Sequence, residues 1–443
     1  MRLGKKICLL IGALFLPASI YSDTLIPADD ARINYYGRFD FSVPSTAKFN
    51  WSGSVIEATF SGPSIGISLT DGQNDYDITI DSEHDTVLRT TGGTSKYQIA
   101  QNLTGDSHTI RIVQRSESHW SAAMFGGFYL ADNHQLLDPK TKPARKIEFI
   151  GDSWTVGYGN ESTSRTCPGL RAYTNTNKSF PRLITDAFHA QSIVLGWSGQ
   201  GIVRNYGDAA KKSATPYPYY YDRTLGAIDG AWDFSKWIPD LVVVFLGIND
   251  FSTAPNPDDT MYCNAYHSFI SRIRSNYPEA SIMCVSAHVG PMDTYVKRVV
   301  QERTSQGESN IYYSETPNQL ELTGCDWHPN ISDDNLIAQS LISSISSYLG
   351  WDTAVATSVL REKVDSNRNL LSLKKERNRV SISTPVVKPQ SASLWISDLS
   401  GKVVERATIR SGSSFIWDVS NVPSGVYLVH YKGGTPTRLI LQH

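Results

Sequence analysis

Four short blocks of this sequence contain the residue types that acyl transfer requires, and they occur in order along the chain. Ser153 lies in "GDSW", Gly199 in "SGQG", Asn249 in "GIND" and His328 in "CDWHPN". A serine hydroxyl attacks a carbonyl group when a base removes its proton, and histidine is the most common base. Backbone N–H groups and amide side chains stabilise the oxyanion that forms. The four blocks therefore predict a serine-dependent acyl-transfer site.

Each block has an expected role in that site. We expect His328 to deprotonate the nucleophile Ser153. The N–H groups of Ser153 and Gly199 and the side-chain amide of Asn249 are expected to form the oxyanion hole. Asp326, two residues before His328, is expected to orient the imidazole; a backbone carbonyl is the alternative acceptor and would leave a Ser–His pair. This chemistry requires neither a metal nor an organic cofactor.

Two tryptophans are candidates for substrate binding because they are neighbours of reacting residues. Trp154 follows Ser153 and Trp327 precedes His328. Aromatic rings stack on the faces of sugars, but they are also common in protein cores. We expect that one or both of these rings line the acyl or sugar pocket.

The elements that must position these residues follow an alternating pattern between residues 141 and 352. Five apolar runs read as strands, and amphipathic runs between them read as helices; Ser332 is expected to cap the last helix. Gly151 is expected to make the turn after the first strand, with Asp152 bracing it. This pattern predicts a doubly wound, flavodoxin-like α/β/α domain, in which the carboxyl ends of the strands bring the four blocks to one crevice. The strands are "KIEFI", "SIVLG", "LVVVFLG", "SIMCVSA" and "NIYYSE".

The flanking regions have the period-two pattern of β-structure. Residues 23–140 predict a β-sandwich, residues 353–380 a linker, and residues 381–443 a small C-terminal β-sandwich. The segment "DGQNDYD" at 71–77 reads as a turn, with a calcium loop as the alternative.

The first 22 residues have the form of a secretory signal peptide, with basic residues before a short apolar run; an uncleaved anchor is the alternative. No later run approaches the ~20 apolar residues of a membrane span, so we expect a soluble mature protein.

A net charge of -2 gives no electrostatic reason to expect nucleic acid as a partner. Four cysteines remain after residue 22, which permits up to two disulfides with the pairing open.

Other classes of protein explain the blocks less well. A lipase-type nucleophile elbow has the pattern Gly-x-Ser-x-Gly. With Ser198 as the serine and Gly199 after it, the last glycine of the pattern is replaced by Gln200. The glycines of "GDSWTVGYG" do not fit a dinucleotide-binding fingerprint. A metal hydrolase using Asp152, Asp250, Asp326 and His328 would make the ordered blocks a coincidence. A carbohydrate-binding protein with an idle pocket is the main alternative to an enzyme.

The ordered blocks resemble those of the GDSL-type, or SGNH, hydrolases, over about residues 146–350. Together with the N-terminal β-sandwich, "GDSWTVGYG", "GIND" and "DWHPN" are similar to carbohydrate esterase family 2. That resemblance implies a jelly-roll domain before the SGNH domain, and an acetylxylan esterase that removes acetyl groups from plant polysaccharides such as acetylxylan and acetylated glucomannan. "DLSGKVV" and "VPSGVYLV" resemble bacterial C-terminal sorting domains. They imply export machinery as a partner and a secreted or cell-surface protein.

Overall fold

A computed structural model describes residues 23–353, apart from 83 and 229, and eight segments nearer the C-terminus. Those segments are 372–376, 379–383, 391–398, 402–410, 414–420, 422–423, 425–431 and 437–441. The predicted signal peptide, residues 1–22, and most of the predicted linker lie outside them. Among the described residues, no helix is both long and apolar enough to cross a membrane.

The N-terminal region is a β-sandwich made of two five-stranded sheets. One sheet has the order β1-β10-β5-β8, with β3 also paired to β10, and the other has the order β2-β4-β9-β6-β7. All of these pairings are antiparallel. The strands are β1 Asp23–Pro27, β2 Asn34–Tyr36, β3 Ala47–Phe49, β4 Val55–Phe60, β5 Ile65–Asp71, β6 Asp75–Ile80, β7 His84–Arg89, β8 Gly93–Ala100, β9 His108–Gln114 and β10 Ala123–Ala131.

Alternate residues of the strands face the core of the sandwich. This explains why apolar residues recur with a period of two along the sequence. Ile65, Ile67 and Leu69 of β5 are buried together with Ile110 and Ile112 of β9, so both sheets contribute to one cluster. In the segment at 71–77, residues 72–74 form a turn between β5 and β6, and the Asp71 carboxylate accepts the N–H groups of Gly72 and Asn74.

The middle of the chain forms a parallel sheet covered by helices, as its alternating pattern predicts. The strands are β11 Arg145–Gly151, β12 Ala190–Gly196, β13 Leu241–Phe245, β14 Ser281–Ser286 and β15 Ile311–Glu315. The helices are α1 Ser153–Val156, α2 Phe180–Ala187, α3 Ile248–Phe251, α4 Asp259–Asn276, α5 Met292–Ser305 and α6 Ile331–Leu349. Helix α2 packs against α6, and α4 packs against α5.

The strand order β12-β11-β13-β14-β15 places a change of chain direction between β11 and β13. The chain leaves β11 toward β12 on one side and later returns to add β13 on the other side. In sheets of this order, loops at the carboxyl ends separate at that point and leave a crevice for ligands. All five residues of β13 are buried, as a central parallel strand requires.

The start of the last helix corrects one sequence-based expectation. Helix α6 begins at Ile331, and its cap is Asn330 rather than Ser332. The Asn330 side chain accepts the Asp333 N–H while the Asp333 carboxylate accepts the Asn330 N–H, which forms a reciprocal capping box. Gly350, in the left-handed conformation, ends the helix.

The sandwich is joined to the α/β region by a buried polar contact. Arg38, fully buried before β3, donates hydrogen bonds to the carbonyl groups of Tyr221 and Arg223 and forms an ion pair with Glu148 of β11. Burial raises the pKa of Glu148, although Arg38 and two tyrosine hydroxyls oppose that shift. Removing one partner of such a pair leaves a buried charge without compensation, which typically costs roughly 3–5 kcal/mol.

The C-terminal unit, considered by itself, contains two small antiparallel sheets with the orders β16-β17-β20 and β19-β18-β21-β22. Its strands are β16 Ser372–Glu376, β17 Arg379–Ser383, β18 Ser391–Asp398, β19 Val403–Arg410, β20 Ser414–Asp418, β21 Gly425–Tyr431 and β22 Thr437–Leu441. Its core cluster draws Val380 and Trp417 from one sheet and Ile396 and Val429 from the other. The β-structure begins at Ser372, inside the segment that the sequence predicts to be linker.

Candidate active site

Ser153 is the first residue of α1, separated from the end of β11 only by Asp152. Gly151 closes the strand where a Cβ atom would collide with the Thr155 side chain, so only glycine fits. Asp152 caps the helix by accepting the Trp154 N–H at 3.1 Å. Burial raises the pKa of Asp152 to about 8. This strand–turn–helix connection holds the Ser153 side chain at the carboxyl edge of the sheet.

His328 contacts the serine directly. The Ser153 hydroxyl and Nε2 of His328 are 2.8 Å apart. Nδ1 lies 2.9 Å from the carbonyl oxygen of Cys325 and 3.1 Å from that of Asp326. Because carbonyl oxygens only accept hydrogen bonds, Nδ1 must carry the proton in the neutral ring. Nε2 is then free to accept the serine proton, which is the tautomer that a general base needs.

Asp326 does not orient the imidazole with its carboxylate, which corrects the expectation from the sequence. Its Oδ2 instead accepts a hydrogen bond from the Tyr158 hydroxyl at 2.8 Å. Asp326 and Trp327 both have left-handed backbone conformations, with φ of 51° and 60°, and this turn directs the carbonyl groups toward the ring of His328. The arrangement is the Ser–His pair that the sequence left as the alternative.

A disulfide joins the histidine loop to a distant part of the chain. Cys167 and Cys325 are bonded with a Cα–Cα distance of 5.5 Å, and Cys263 and Cys284 are free and buried. The Cys325 N–H also donates to the Gly159 carbonyl at 3.2 Å. Since the Cys325 carbonyl is the nearer acceptor of Nδ1, these two attachments help to position the imidazole.

The expected oxyanion donors lie on the loops that follow β11, β12 and β13. Gly199 has a φ of +80°, which favours glycine, and within the described part of the chain no group accepts its N–H or that of Ser153. The Asn249 amide donates to Oδ2 of Asp152 at 3.1 Å and to the Gln200 carbonyl at 2.9 Å. One of these two bonds must be exchanged if Asn249 is to contact an oxyanion.

Asp250 holds the loop that carries Gly199. Its carboxylate accepts the N–H groups of Ile202, Val203 and Arg204 at 2.8 to 2.9 Å. Burial raises its pKa to about 6 although these hydrogen bonds oppose the shift. Asp250 therefore holds this loop in place rather than taking part in the reaction.

The two candidate tryptophans have different surroundings. Trp154 is 6% exposed and packs edge-on against Phe245 in the core, so it has no face for a sugar, which corrects that prediction. Trp327 is 63% exposed beside His328 and remains available to a ligand. Tyr206, which none of the sequence motifs indicates, is 61% exposed, and its N–H donates to the Gly199 carbonyl.

Glu117, which none of the sequence motifs indicates, belongs to the loop between β9 and β10 of the sandwich. Its carboxylate accepts the Ser198 N–H at 2.9 Å, the Ser198 hydroxyl, and Nε2 of His119 at 3.1 Å. Burial would raise the pKa of Glu117, but the hydrogen bonds from His119 and Ser198 outweigh it and keep the pKa below its usual value. An anionic side chain of the sandwich therefore fixes the residue before Gly199.

The surroundings of His328 make it a weaker base than a free histidine. Partial burial lowers its pKa, while the carbonyl acceptors and the charges of Asp326 and Glu117 oppose that shift. The Tyr158 ring lies against the imidazole with centroids 4.3 Å apart. Within the described residues, no group of three or more His, Cys, Asp or Glu side chains is arranged to hold a metal ion.

Three regions of the chain match known families. Residues 35–139 match the carbohydrate esterase 2 N-terminal family, and residues 149–314 match the GDSL-like lipase/acylhydrolase family. Residues 376–441 match the secretion system C-terminal sorting domain.

Individual proteins are similar to the first two regions taken together. The chain is 36% identical over 338 residues to the cellulase/esterase CelE of Acetivibrio thermocellus, covering 73% of this chain but only 40% of CelE. It is 31% identical over 328 residues to an acetylxylan esterase/glucomannan deacetylase of Cellvibrio japonicus, covering 69% of this chain and 87% of that protein. A family two carbohydrate esterase from Clostridium thermocellum, solved in complex with cellohexaose, aligns with a TM-score of 0.68 and 34% identity. That alignment covers 72% of this chain and 99% of the solved one.

Proposed function

Because the chain belongs to carbohydrate esterase family 2 and is a carboxylic-ester hydrolase, we propose that it removes acetyl groups from hemicellulose through an acyl-enzyme on Ser153. The substrates we propose are acetylxylan and acetylated glucomannan. The name of the Cellvibrio japonicus relative supports this choice, since that protein is an acetylxylan esterase and glucomannan deacetylase.

In the first step, the Ser153 oxygen attacks the acetyl carbonyl carbon while Nε2 of His328 takes the hydroxyl proton. The carbonyl oxygen becomes an oxyanion. It is stabilised by the N–H groups of Ser153 and Gly199 and by the Asn249 amide, once that amide has given up one of its two hydrogen bonds. The bond to the sugar oxygen then breaks. His328 returns its proton to that oxygen, which leaves as a hydroxyl group and leaves acetyl on Ser153.

In the second step, neutral His328 removes a proton from water as the water oxygen attacks the acetyl-serine carbonyl carbon. The same donors stabilise the second oxyanion. Its collapse breaks the bond to the Ser153 oxygen, which recovers the proton from His328 and releases acetic acid, ionised at neutral pH. The positive charge that His328 carries between these events is stabilised by the carbonyl groups of Cys325 and Asp326.

The observation that carries this proposal is the 2.8 Å contact between the Ser153 hydroxyl and Nε2 of His328, with Nδ1 facing carbonyl oxygens. That contact supplies both a nucleophile and a base in the required tautomer. An idle binding pocket would not need this pairing.

The proposal is tested by measuring acetate release from acetylated xylan and acetylated glucomannan. We expect the parent protein to release acetate. The Ser153→Ala variant, shown to be folded by circular dichroism, should release acetate several orders of magnitude more slowly. Chemically deacetylated samples of the same polymers serve as the blank. If well-folded parent protein releases no acetate from either polymer, the proposed substrates are wrong.

Binding of unmodified glucan chains is a second candidate function of the same cleft. It is favoured by the cellohexaose complex of the Clostridium thermocellum relative. The exposed rings of Trp327 and Tyr206 near the catalytic residues are consistent with it. Isothermal titration of the Ser153→Ala variant with cellohexaose tests this candidate without turnover.

The match to the sorting domain indicates export to a secreted or cell-surface location. We propose that the bacterial export machinery recognises residues 381–443 and that the esterase acts on polymers outside the cell. A deletion of these residues should leave esterase activity intact and change the location of the protein.

A further inference from the structure

The loop between β9 and β10 presents an aromatic surface beside the catalytic region that the proposed mechanism does not use. Within this loop, the ring of His119 stacks on Trp197, with centroids 4.2 Å apart and planes at 19°. Trp197 is 5% exposed and immediately precedes Ser198, which Glu117 of the same loop binds. The sandwich loop is thus attached directly to the loop that carries the oxyanion donor Gly199.

Trp120 is the most exposed aromatic side chain of this loop. It is 79% exposed, whereas His119 beside it is buried. The Trp120 ring stands at 84° to Trp197 with a centroid distance of 5.7 Å, so an edge-to-face contact supports it. A large apolar ring that is supported by one ring contact and otherwise exposed is characteristic of a binding surface.

A second exposed ring is connected to the same support. Trp197 contacts Tyr220 with centroids 4.2 Å apart, and Tyr220 contacts Tyr219 at 5.1 Å. Tyr219 is 53% exposed, and the guanidinium group of Arg223 lies 4.8 Å from its ring centroid. Trp120 and Tyr219 are therefore the exposed members of one packed aromatic group whose centre is buried.

We propose that Trp120 and Tyr219 form an additional carbohydrate subsite that binds sugar rings of the polysaccharide next to the residue being deacetylated. This inference rests on the proposed function. Pyranose rings present flat C–H faces that pack on aromatic rings, and neutral hemicellulose offers no charge for an ionic contact. The subsite is separate from Trp327, which lies on the histidine loop.

The position of this surface explains why a β-sandwich accompanies the catalytic region. Trp120 belongs to the sandwich and Tyr219 to the α/β region, so neither region alone provides the whole subsite. A polymer that contacts both rings has a longer bound stretch than a small ester, which reaches only the Ser153 pocket. The subsite therefore predicts selective loss of polymer recognition when the rings are removed.

The test compares Trp120→Ala, Trp120→Phe and Tyr219→Ala with the parent protein on acetylated glucomannan and on 4-nitrophenyl acetate. Ile238→Ala is the matched control, because Ile238 is 55% exposed but precedes the amino end of β13, at the opposite edge of the sheet. We expect Trp120→Ala to raise KM for the polymer roughly tenfold, Trp120→Phe to raise it less, and kcat/KM for the small ester to be unchanged. The control should match the parent on both substrates.

Two results would overturn the subsite. One is a polymer KM for Trp120→Ala and Tyr219→Ala within twofold of the parent. The other is an equal loss on both substrates, which would mean that the ring only supports the catalytic loop. Altered self-association of Trp120→Ala without any change on the polymer would assign the surface to a protein contact instead.

A failure of the proposed function is distinguished by affinity electrophoresis in unmodified glucomannan. If the parent releases no acetate but is retarded in the gel while Trp120→Ala is not, the subsite stands and the proposed substrate fails. If the parent releases acetate and Trp120→Ala is retarded as strongly as the parent, the subsite fails and the esterase function stands.

Discussion

The carbonyl oxygen of Cys325 lies 2.9 Å from Nδ1 of His328, in the place where many serine hydrolases have a carboxylate. Main-chain atoms thus fix the tautomer, and the disulfide from Cys167 to Cys325 fixes those main-chain atoms. The nearby carboxylate of Asp326 binds the Tyr158 hydroxyl. The base is therefore oriented by backbone geometry, and several measurements follow from this.

Replacing the acid should have a small effect. We expect Asp326→Asn to reduce kcat on 4-nitrophenyl acetate by less than about tenfold, because the carbonyl groups that hold Nδ1 remain. Loss of an orienting carboxylate typically reduces kcat by about 10⁴. Asparagine can still accept the Tyr158 hydroxyl, so the loop should be retained. If kcat fell by nearly 10⁴ in a variant as stable as the parent, the Asp326 carboxylate would belong to a catalytic triad after all.

The pH dependence of kcat/KM should report the altered base. Only neutral His328 accepts the serine proton, and burial lowers its pKa. Activity should therefore be constant near neutral pH and fall only as the pH drops through an apparent pKa below the ordinary value of about 6.5. A profile on 4-nitrophenyl acetate with its acid limb above that value would contradict this account of the site.

Opening the disulfide should affect catalysis and stability together. Cys167→Ser removes the bond without altering Cys325, whose carbonyl then loses one attachment. We expect a lower kcat with little change in KM for a small ester, and a loss of roughly 2–5 kcal/mol in the free energy of unfolding, measured by urea titration. Cys263→Ser, at a free cysteine, is the control for the substitution itself. Parental kcat in Cys167→Ser would show that the bond does not position His328.

Glu117 should act as a positioning residue from the sandwich. Glu117→Gln replaces an acceptor of two Ser198 bonds and removes a negative charge that raises the pKa of His328. We expect kcat to fall by about 10- to 100-fold and the acid limb of the pH profile to move to lower pH. Ser198→Ala keeps the 2.9 Å hydrogen bond from the backbone N–H of residue 198 to Glu117, so it should lower kcat less. A purely structural role would lower stability without moving the acid limb.

The order of the sequence blocks predicted the contact between Ser153 and His328 at the carboxyl edge of the sheet. Ser153 and His328 are far apart in sequence, but each follows an element whose type was readable from its apolar pattern. The role of Asp326 could not be predicted, because it depends on the left-handed backbone conformations of Asp326 and Trp327. In these conformations the main-chain carbonyl of Asp326, rather than its carboxylate, faces the imidazole. Local sequence gives little indication of that conformation in residues other than glycine.

Contacts between distant segments were the other features that could not be predicted. Trp154 and Trp327 are each adjacent to a reacting residue, yet one faces the core from α1 and the other faces solvent from a short turn. Glu117 comes from the sandwich and carries no signal in the catalytic blocks. The pairing of Cys167 with Cys325 likewise depends on the folded chain rather than on spacing.

The acyl-enzyme on Ser153 is tested most directly by trapping it. The parent protein is mixed with 4-nitrophenyl acetate, quenched in acid within milliseconds to seconds, digested and analysed by mass spectrometry. Serine acyl-enzyme chemistry predicts a transient acetyl group on the peptide containing Ser153, at Ser153 itself, and none in Ser153→Ala. Steady acetate release by Ser153→Ala, or acetylation of the parent at another residue with turnover intact, would contradict it.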